Sequence, residues 1–192
     1  PHGQFFFEPL RDSREIVAVA GGSGITPIRS LAREIACGGI DAKLTILYGI
    51  RTPGEMLFRE EFAELAHRLP DRIRIAHVCS EPDGSWHGLC GFITADCIRE
   101  NAGAVASKTF FLCGPPEMYR FLDKEMELLA IPGRRIRREV FGEESNVRGR
   151  ADFPDGTADR TVSIKVRLGR EVRILPARTG ETVLAALEKA GC

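Results

Sequence analysis

The sequence predicts an α/β fold, an open parallel sheet with helices on both faces, followed by a truncated α+β remainder. Three observations predict it. Apolar runs of strand length alternate with helix-spaced segments up to residue 142. Two glycine-containing turns stand where a strand run gives way to a helix. After Gly142 the composition changes, and a hairpin pattern with one helix follows.

Each element follows from local pattern. Glu15–Ala20 is a short apolar run ending in glycines, as a strand buried on both faces does. Thr26–Ala36 has helical spacing at Ile28, Leu31, Ala32 and Ile35 and stops at Gly38-Gly39. Lys43–Gly49 is a second strand, and Arg59–Arg68 a second helix closed by Pro70. Arg72–Cys79 alternates as a third strand. Thr94–Asn101 reads as a helix with Thr94 as its N-cap and with Cys97 and Ile98 inward. Thr109–Cys113 is a fourth strand, and Pro115–Ala130 a long helix with proline in its tolerant first turn. Arg135–Phe141 is the last strand of this part. The alternation requires a parallel sheet, because parallel neighbours need crossover connections.

Glu143–Arg160 is rich in Gly, Asp, Arg and Ser without apolar periodicity and predicts a linker. Thr161–Leu168 then alternates at Val162, Ile164, Val166 and Leu168. Gly169-Arg170 is a turn and Glu171–Leu175 alternates again, which predicts a β-hairpin. Thr182–Ala190 is a helix with Val183, Leu184 and Leu187 on one face. This tail of roughly 30 residues is too short to bury its own core and reads as the opening of a second domain.

Composition narrows the function classes. The 192 residues carry 27 Lys+Arg and 27 Asp+Glu, so no bulk field favours nucleic acid or an anionic membrane. No apolar run approaches the ~20 residues of a membrane span. The chain starts Pro1-His2-Gly3-Gln4, without Met and without a secretory signal, and reads as part of a longer cytoplasmic protein. Its six cysteines (Cys37, Cys79, Cys90, Cys97, Cys113 and Cys192) show no CxxC pair or finger spacing. They are expected to be mostly reduced and buried, with no structural zinc. His2, His67, His77 and His87 join no catalytic constellation. Arg134-Arg135-x-Arg137-Arg138, with Glu139, Glu143 and Glu144 nearby, reads as a solvated face or a dock for an acidic electron-transfer partner.

Two motifs carry chemistry. Gly21-Gly22-Ser23-Gly24-Ile25-Thr26-Pro27 lies directly between a strand and a helix. Glycines there permit positive φ and close approach of a ligand, and the free N–H groups and dipole of a helix start attract phosphate. A tight βα turn needing glycine for packing alone is the alternative. The spacing is G-x-G-x-x-P rather than the usual dinucleotide fingerprint. The second strand ends Tyr48-Gly49-Ile50-Arg51-Thr52 without the acidic ribose ligand, which disfavours an ordinary dehydrogenase. The second motif, Cys113-Gly114-Pro115-Pro116-Glu117-Met118-Tyr119, sits at the carboxyl end of another strand. There a small thiol beside a glycine leaves room for a flat ring, or Cys113 is simply a buried core cysteine.

On these motifs, residues 3–142 resemble the NAD(P)-binding half of the ferredoxin–NADP reductase superfamily. The resemblance implies a Rossmann-like domain over 8–142, with 1–7 as the end of a preceding FAD domain. It implies that Gly22, Gly24, Thr26 and Pro27 hold the pyrophosphate, with Gly21, Ser23 and Ile25 in the same loop. Cys113, Gly114, Pro115, Pro116 and Met118 would lie beside the nicotinamide, with Cys113 positioning it against the flavin. Tyr48-Gly49-x-Arg51 resembles the adenosine-side segment, Trp86-x-Gly88-x-x-Gly91 the loop before the third helix, and Phe141 the residue near the flavin ring. Val162–Cys192 resembles the start of a plant-type 2Fe–2S ferredoxin, a β-grasp domain. Its C-x₄-C-x₂-C ligand pattern is absent, as is the superfamily's Arg-x-Tyr-Ser flavin motif.

The implied function is hydride transfer from NAD(P)H to FAD, then electron passage to a 2Fe–2S centre and an oxygenase-type acceptor. Carboxylates at Glu81 and Asp83 favour NADH, whereas Arg51 favours a 2′-phosphate and hence NADPH. Two other readings stay open. One is a nucleotide-binding α/β module without redox activity. The other is a flavin reductase lacking a cluster, with Val162–Cys192 as an unrelated appendage.

Overall fold

A computed structural model describes residues 5–140, 153, 158–168 and 171–191. Phe141, Cys192, the Gly169-Arg170 turn, residues 1–4 and most of the 143–160 segment lie outside the described residues. The chain divides into two compact units, Pro1–Phe141 and Gly142–Cys192.

The first unit is one six-stranded sheet: β1 (Glu15–Gly21), β2 (Lys43–Ile50), β3 (Ile73–Cys79), β4 (Leu89–Cys90), β5 (Thr109–Gly114) and β6 (Ile136–Val140). Its order is β4-β3-β2-β1-β5-β6 and every pairing is parallel. Chain order therefore reverses between β1 and β5. That is the switch point at which open α/β sheets leave a crevice beyond the carboxyl ends of their strands.

Helices α1 (Ile25–Ala36), α2 (Arg59–Arg68), α3 (Ala95–Ala102) and α4 (Pro116–Leu128) cover both faces. On one face Ile28, Leu31 and Ile35 of α1 and Phe62 of α2 pack on Ile16, Ala18 and Ile46. On the other, Ile98 of α3 and Tyr119, Leu122 and Met126 of α4 pack on Val17, Val19 and Leu112. Val17, Ala18, Val19 and Ala20 are all fully buried, the double-sided burial that the β1 run foretells. Thr94 caps α3 as expected, accepting the Cys97 N–H at 3.2 Å.

The structure adds to and corrects the sequence reading. The two-residue strand β4 lies inside the Trp86–Gly91 loop. There the indole of Trp86 covers Gly88, where a Cβ would come within 2.6 Å of a ring carbon. Cys37 and Cys90 are exposed rather than buried, although all five described cysteines are free. Arg137 does not belong to a solvated face. Its guanidinium is 7% exposed and paired with Asp12, whose side chain is fully buried. Arg138 pairs with Asp123 on α4. Asp12 belongs to the segment before β1, where Phe5 also meets Phe111 of β5 edge-on at 5.1 Å.

The second unit contains an antiparallel hairpin of β7 (Thr161–Leu168) and β8 (Glu171–Arg178) and a short helix α5 (Val183–Lys189). β8 runs on through Pro176 rather than ending at Leu175. In a two-stranded sheet both strands are edges, and an edge tolerates a residue with no N–H. Val172, Ile174, Val183 and Leu184 are exposed, so this unit leaves apolar surface open to water.

Candidate functional site

The crevice at the switch point has two lips, the turn after β1 and the turn after β5. Both predicted motifs fall there, on adjacent strands in which Ala20 pairs with Cys113. In the first turn a single 3₁₀ turn, Gly22–Gly24, feeds directly into α1. Gly22 has φ +53 and nothing within 4 Å of its Cβ position, so it needs glycine's left-handed freedom and faces open space. Gly24 differs. Its φ is −62, ordinary for any residue, but a Cβ there would sit 2.1 Å from the Cys113 carbonyl oxygen. The close approach Gly24 permits is to the chain's own β5.

The start of α1 suits an anion. No side chain caps it and no acidic residue lies in its first turn, so its first N–H groups lack side-chain acceptors. Gly22, Ser23 and Thr26 are exposed around it, whereas Ile25 is buried and Pro27 half-buried. Ile25 thus anchors the helix to the core. The Tyr48 hydroxyl ties β2 to the turn. It donates to the Gly22 carbonyl at 3.1 Å and accepts the Leu57 N–H at 3.3 Å. Gly49 pairs with Gly21 across the β1–β2 ladder.

Toward the sheet edge, exposed Arg51 is held by Glu55 at 2.9 Å, and the nearby Glu81 carboxylate adds to the negative surroundings of its guanidinium. A groove of about 620 Å³ beside β3 is lined by Met56, Arg59, His77, Trp86 and His87, among others. His77 is half-buried there and its Nε2 has no partner. Burial, with the Arg59 charge, holds its imidazole below the usual histidine range.

The second lip is built around Gly114. Pro115, in an extended conformation, precedes α4, and Pro116 occupies its first turn. Both prolines are exposed. The Met118 thioether lies over both lips. A Cβ on Gly21 would meet its sulfur at 2.6 Å, and one on Gly114 would meet its methyl at 2.4 Å. Cys113 is fully buried. Burial chiefly, then the Glu139 carboxylate, pushes its thiol up to about 12, against a lowering contribution from a hydrogen bond with Tyr119. The thiol is therefore neutral at physiological pH, suited to packing and weak hydrogen bonding rather than nucleophilic attack.

Two neighbours of this cysteine carry no site role in the sequence reading, although Tyr119 closes the second motif and Glu139 stands beside the arginine run. Glu139 lies opposite Cys113 in the β5–β6 register. Tyr119 brings its hydroxyl to the end of β5, accepting the Gly114 N–H at 3.3 Å. Only the register could have flagged the first, and only the helical step from Pro115 the second.

The sequence and the fold agree with known proteins. The oxidoreductase NAD-binding domain family matches residues 18–124, more than half of the chain. NADH-cytochrome b5 reductase 2 of Scheffersomyces stipitis is 31% identical over 122 residues, 62% of this chain and 41% of that relative. NADH–cytochrome b5 reductase 1 of Arabidopsis thaliana is 34% identical over 131 residues, 67% of this chain and 46% of that relative. The chain thus spans less than half the length of these curated relatives. Among solved structures, the cytochrome b5 reductase domain of Ulva prolifera nitrate reductase superposes with a TM-score of 0.62. It is 27% identical, over 66% of this chain and 50% of that one. An Amycolatopsis cytochrome P450 reductase gives a TM-score of 0.64 at 28% identity, over 76% of this chain and 43% of that one. With its reversed strand order and its two motifs facing each other across the switch point, the chain belongs to the oxidoreductase NAD-binding domain family, the nucleotide-binding part of the ferredoxin reductase-like superfamily.

Proposed function

We propose that the chain is the NADH-binding part of a flavin-dependent reductase that delivers electrons to a protein acceptor. The observation that supports it most is the crevice itself. An uncapped helix start lies on one lip and a neutral thiol beside Gly114 on the other, on adjacent strands. The exposed, acid-free turn fits a pyrophosphate, with Gly22, Ser23 and Thr26 around it and the first N–H groups of α1 as donors. Gly21 and Gly24 give the turn its seat, and Tyr48 holds it to β2. The adenosine end would lie toward Gly49, Arg51 and the groove beside β3.

Cys113, Gly114, Pro115, Pro116 and Met118 would border the nicotinamide. When bound, the nucleotide supplies a hydride and a flavin accepts it. The chain's own share is placement: a floor of buried backbone, a thioether over both lips, and a thiol that keeps its proton. In this reading Phe141, at the end of the first unit, stands near the flavin, and residues 1–7 end the preceding FAD domain.

NADH rather than NADPH is favoured because Glu55 already neutralises Arg51, the one cation in the Tyr48–Arg51 segment, and Glu81 lies near it. The names of the relatives point the same way. The second unit, after a linker over 143–160, is proposed as the opening of a β-grasp module of the 2Fe–2S ferredoxin type. An oxygenase component is the proposed kind of acceptor. Among the described residues no group of three or more Cys, His, Asp or Glu side chains is placed to hold a metal ion. Free thiols agree with the reducing cytoplasm as its compartment. No helix among the described residues is long and apolar enough to cross a membrane.

The test is the visible spectrum of the natural chain, extended in both directions, before and after anaerobic NADH. Flavin and iron–sulfur bands that bleach within seconds support the full reading. Flavin bands alone reduce it to a simple flavin reductase. A colourless protein that takes up no FAD sinks it in favour of a nucleotide-binding module. Tighter binding of NADPH than of NADH overturns the choice of cofactor.

A further inference from the structure

The Tyr119 hydroxyl has an unusual set of neighbours. Its ring is buried in the core under α4, one helical step beyond Met118. The oxygen accepts the Gly114 N–H at 3.3 Å and lies 3.1 Å from the Leu112 carbonyl. It also donates to the carbonyl of Glu139 on β6 and contacts the Cys113 thiol. All four partners belong to the last residues of β5 and β6. A buried tyrosine needs one partner to satisfy its hydroxyl. This one meets the backbone of Leu112, Gly114 and Glu139 together. Gly114 is thereby held from two sides, by the Met118 thioether and by the Tyr119 oxygen.

We propose that Tyr119 is a positioning residue for the nicotinamide end of the crevice, its hydroxyl clamping β5 to β6 so that Cys113 and Gly114 present a fixed surface to the ring. The inference rests on the proposed nucleotide site. It assigns Tyr119 a role at one end of that site only. Phenylalanine would fill the same volume, so the hydroxyl's contribution is separable from that of the ring. Tyr48 is the natural contrast. Its hydroxyl serves the Gly22 carbonyl at the phosphate turn, and these are the chain's two tyrosines.

The test is calorimetric titration of this chain and of its Tyr119→Phe variant with NADH and with ADP, which lacks the nicotinamide. The variant is expected to bind NADH about 3- to 10-fold more weakly, the range of one lost hydrogen bond, and ADP within about 2-fold of the parent. An equal loss for both ligands marks a merely structural residue and overturns the proposal, as does unchanged NADH affinity. A parent chain that binds neither ligand overturns the nucleotide site itself, and this inference with it. Should the variant not fold, the parent is labelled with fluorotyrosine and its two ¹⁹F signals followed. The Tyr119 signal is expected to move with NADH and stay with ADP, while that of Tyr48 moves with both. A Tyr119 signal that ignores NADH, or follows ADP equally, refutes the role.

Discussion

Replacing Gly24 with alanine tests the contact between the two lips. The new methyl would stand 2.1 Å from the Cys113 carbonyl oxygen, 2.4 Å from its carbonyl carbon and 2.8 Å from the Gly114 nitrogen. All three are backbone atoms, and Cys113 is fixed on both sides by its pairing with Ala20 and Glu139. No rotamer change relieves the overlap, so the turn must lift by about 1 Å or the β1–β5 ladder must open. Overpacking costs about 1–3 kcal/mol when side chains can adjust, so the upper end, about 3 kcal/mol, applies here. For a unit of this size that lowers the melting temperature by about 6–12 °C. Gly22→Ala is the matched control. Its Cβ meets nothing within 4 Å, and its cost is the left-handed φ alone, about 1 kcal/mol. Urea unfolding of both variants, with midpoints and slopes, gives the comparison. Gly24→Ala should lose about 2 kcal/mol more than Gly22→Ala. Equal losses, or the reverse order, would refute the steric reading and assign Gly24 to ligand approach alone.

Other residues yield further expectations. With its thiol pushed up to about 12, Cys113 is about 10⁻⁴ ionised at pH 8. Peptide mapping after brief iodoacetamide treatment should therefore find exposed Cys37 and Cys90 labelled and Cys113 intact. The neutral thiol is favoured in the folded state. Its contribution is complete below the ordinary thiol pKa and is lost as pH climbs toward 12, so Cys113→Ala should flatten the alkaline limb of a stability profile. His77 acts at the other end of the scale. Its folded pKa is depressed, so its contribution stands above pH ~6.5 and is lost as pH falls through the folded value; His77→Gln should reduce that acid-side slope in calorimetric melts. Asp12→Asn leaves the buried Arg137 guanidinium without its counter-charge and should cost about 3–5 kcal/mol in denaturant titrations. A double replacement of Asp12 and Arg137 by leucine and methionine should recover most of that loss.

The sheet was legible because its strands are buried on both faces. Val17-Ala18-Val19-Ala20 and Thr109–Cys113 admit few other readings, and the α2 range Arg59–Arg68 agrees at both ends. The two-residue β4 carries no periodicity of its own and exists because β3 offers an edge at Val78 and Cys79. The alternation that the sequence shows over Glu171–Leu175 stops short of the strand, which continues through Pro176 because a hairpin's outer edge makes no demand on its missing N–H. At the site, both glycine turns were visible as strand–helix junctions. Their physical division of labour was not, because Gly22 and Gly24 look alike in sequence and differ only in φ and in what lies beyond the α-carbon. Tyr119, Glu139 and the Asp12–Arg137 pair were hidden for a plainer reason. The partners of Glu139 and of the Asp12–Arg137 pair are set by register and long-range packing, and Tyr119, although close in sequence to Leu112 and Gly114, shows its reach to Glu139 only once β6 lies beside β5.

The central place of β1 also bears on how the chain emerges from the ribosome. One edge of β1 is taken by β2, which is made soon afterwards, but the other waits for β5. At about 5–20 residues per second, synthesis of the stretch from Gly21 to Thr109 takes on the order of 4–17 s. Through that interval a strand that the finished fold buries on both faces has an unpaired edge, the kind that recruits other chains. A polypeptide ended after α3 should therefore sediment with aggregates, whereas one carried through β6 should stay dispersed. On that outcome, shielding of the nascent chain is expected to matter until its fifth strand arrives.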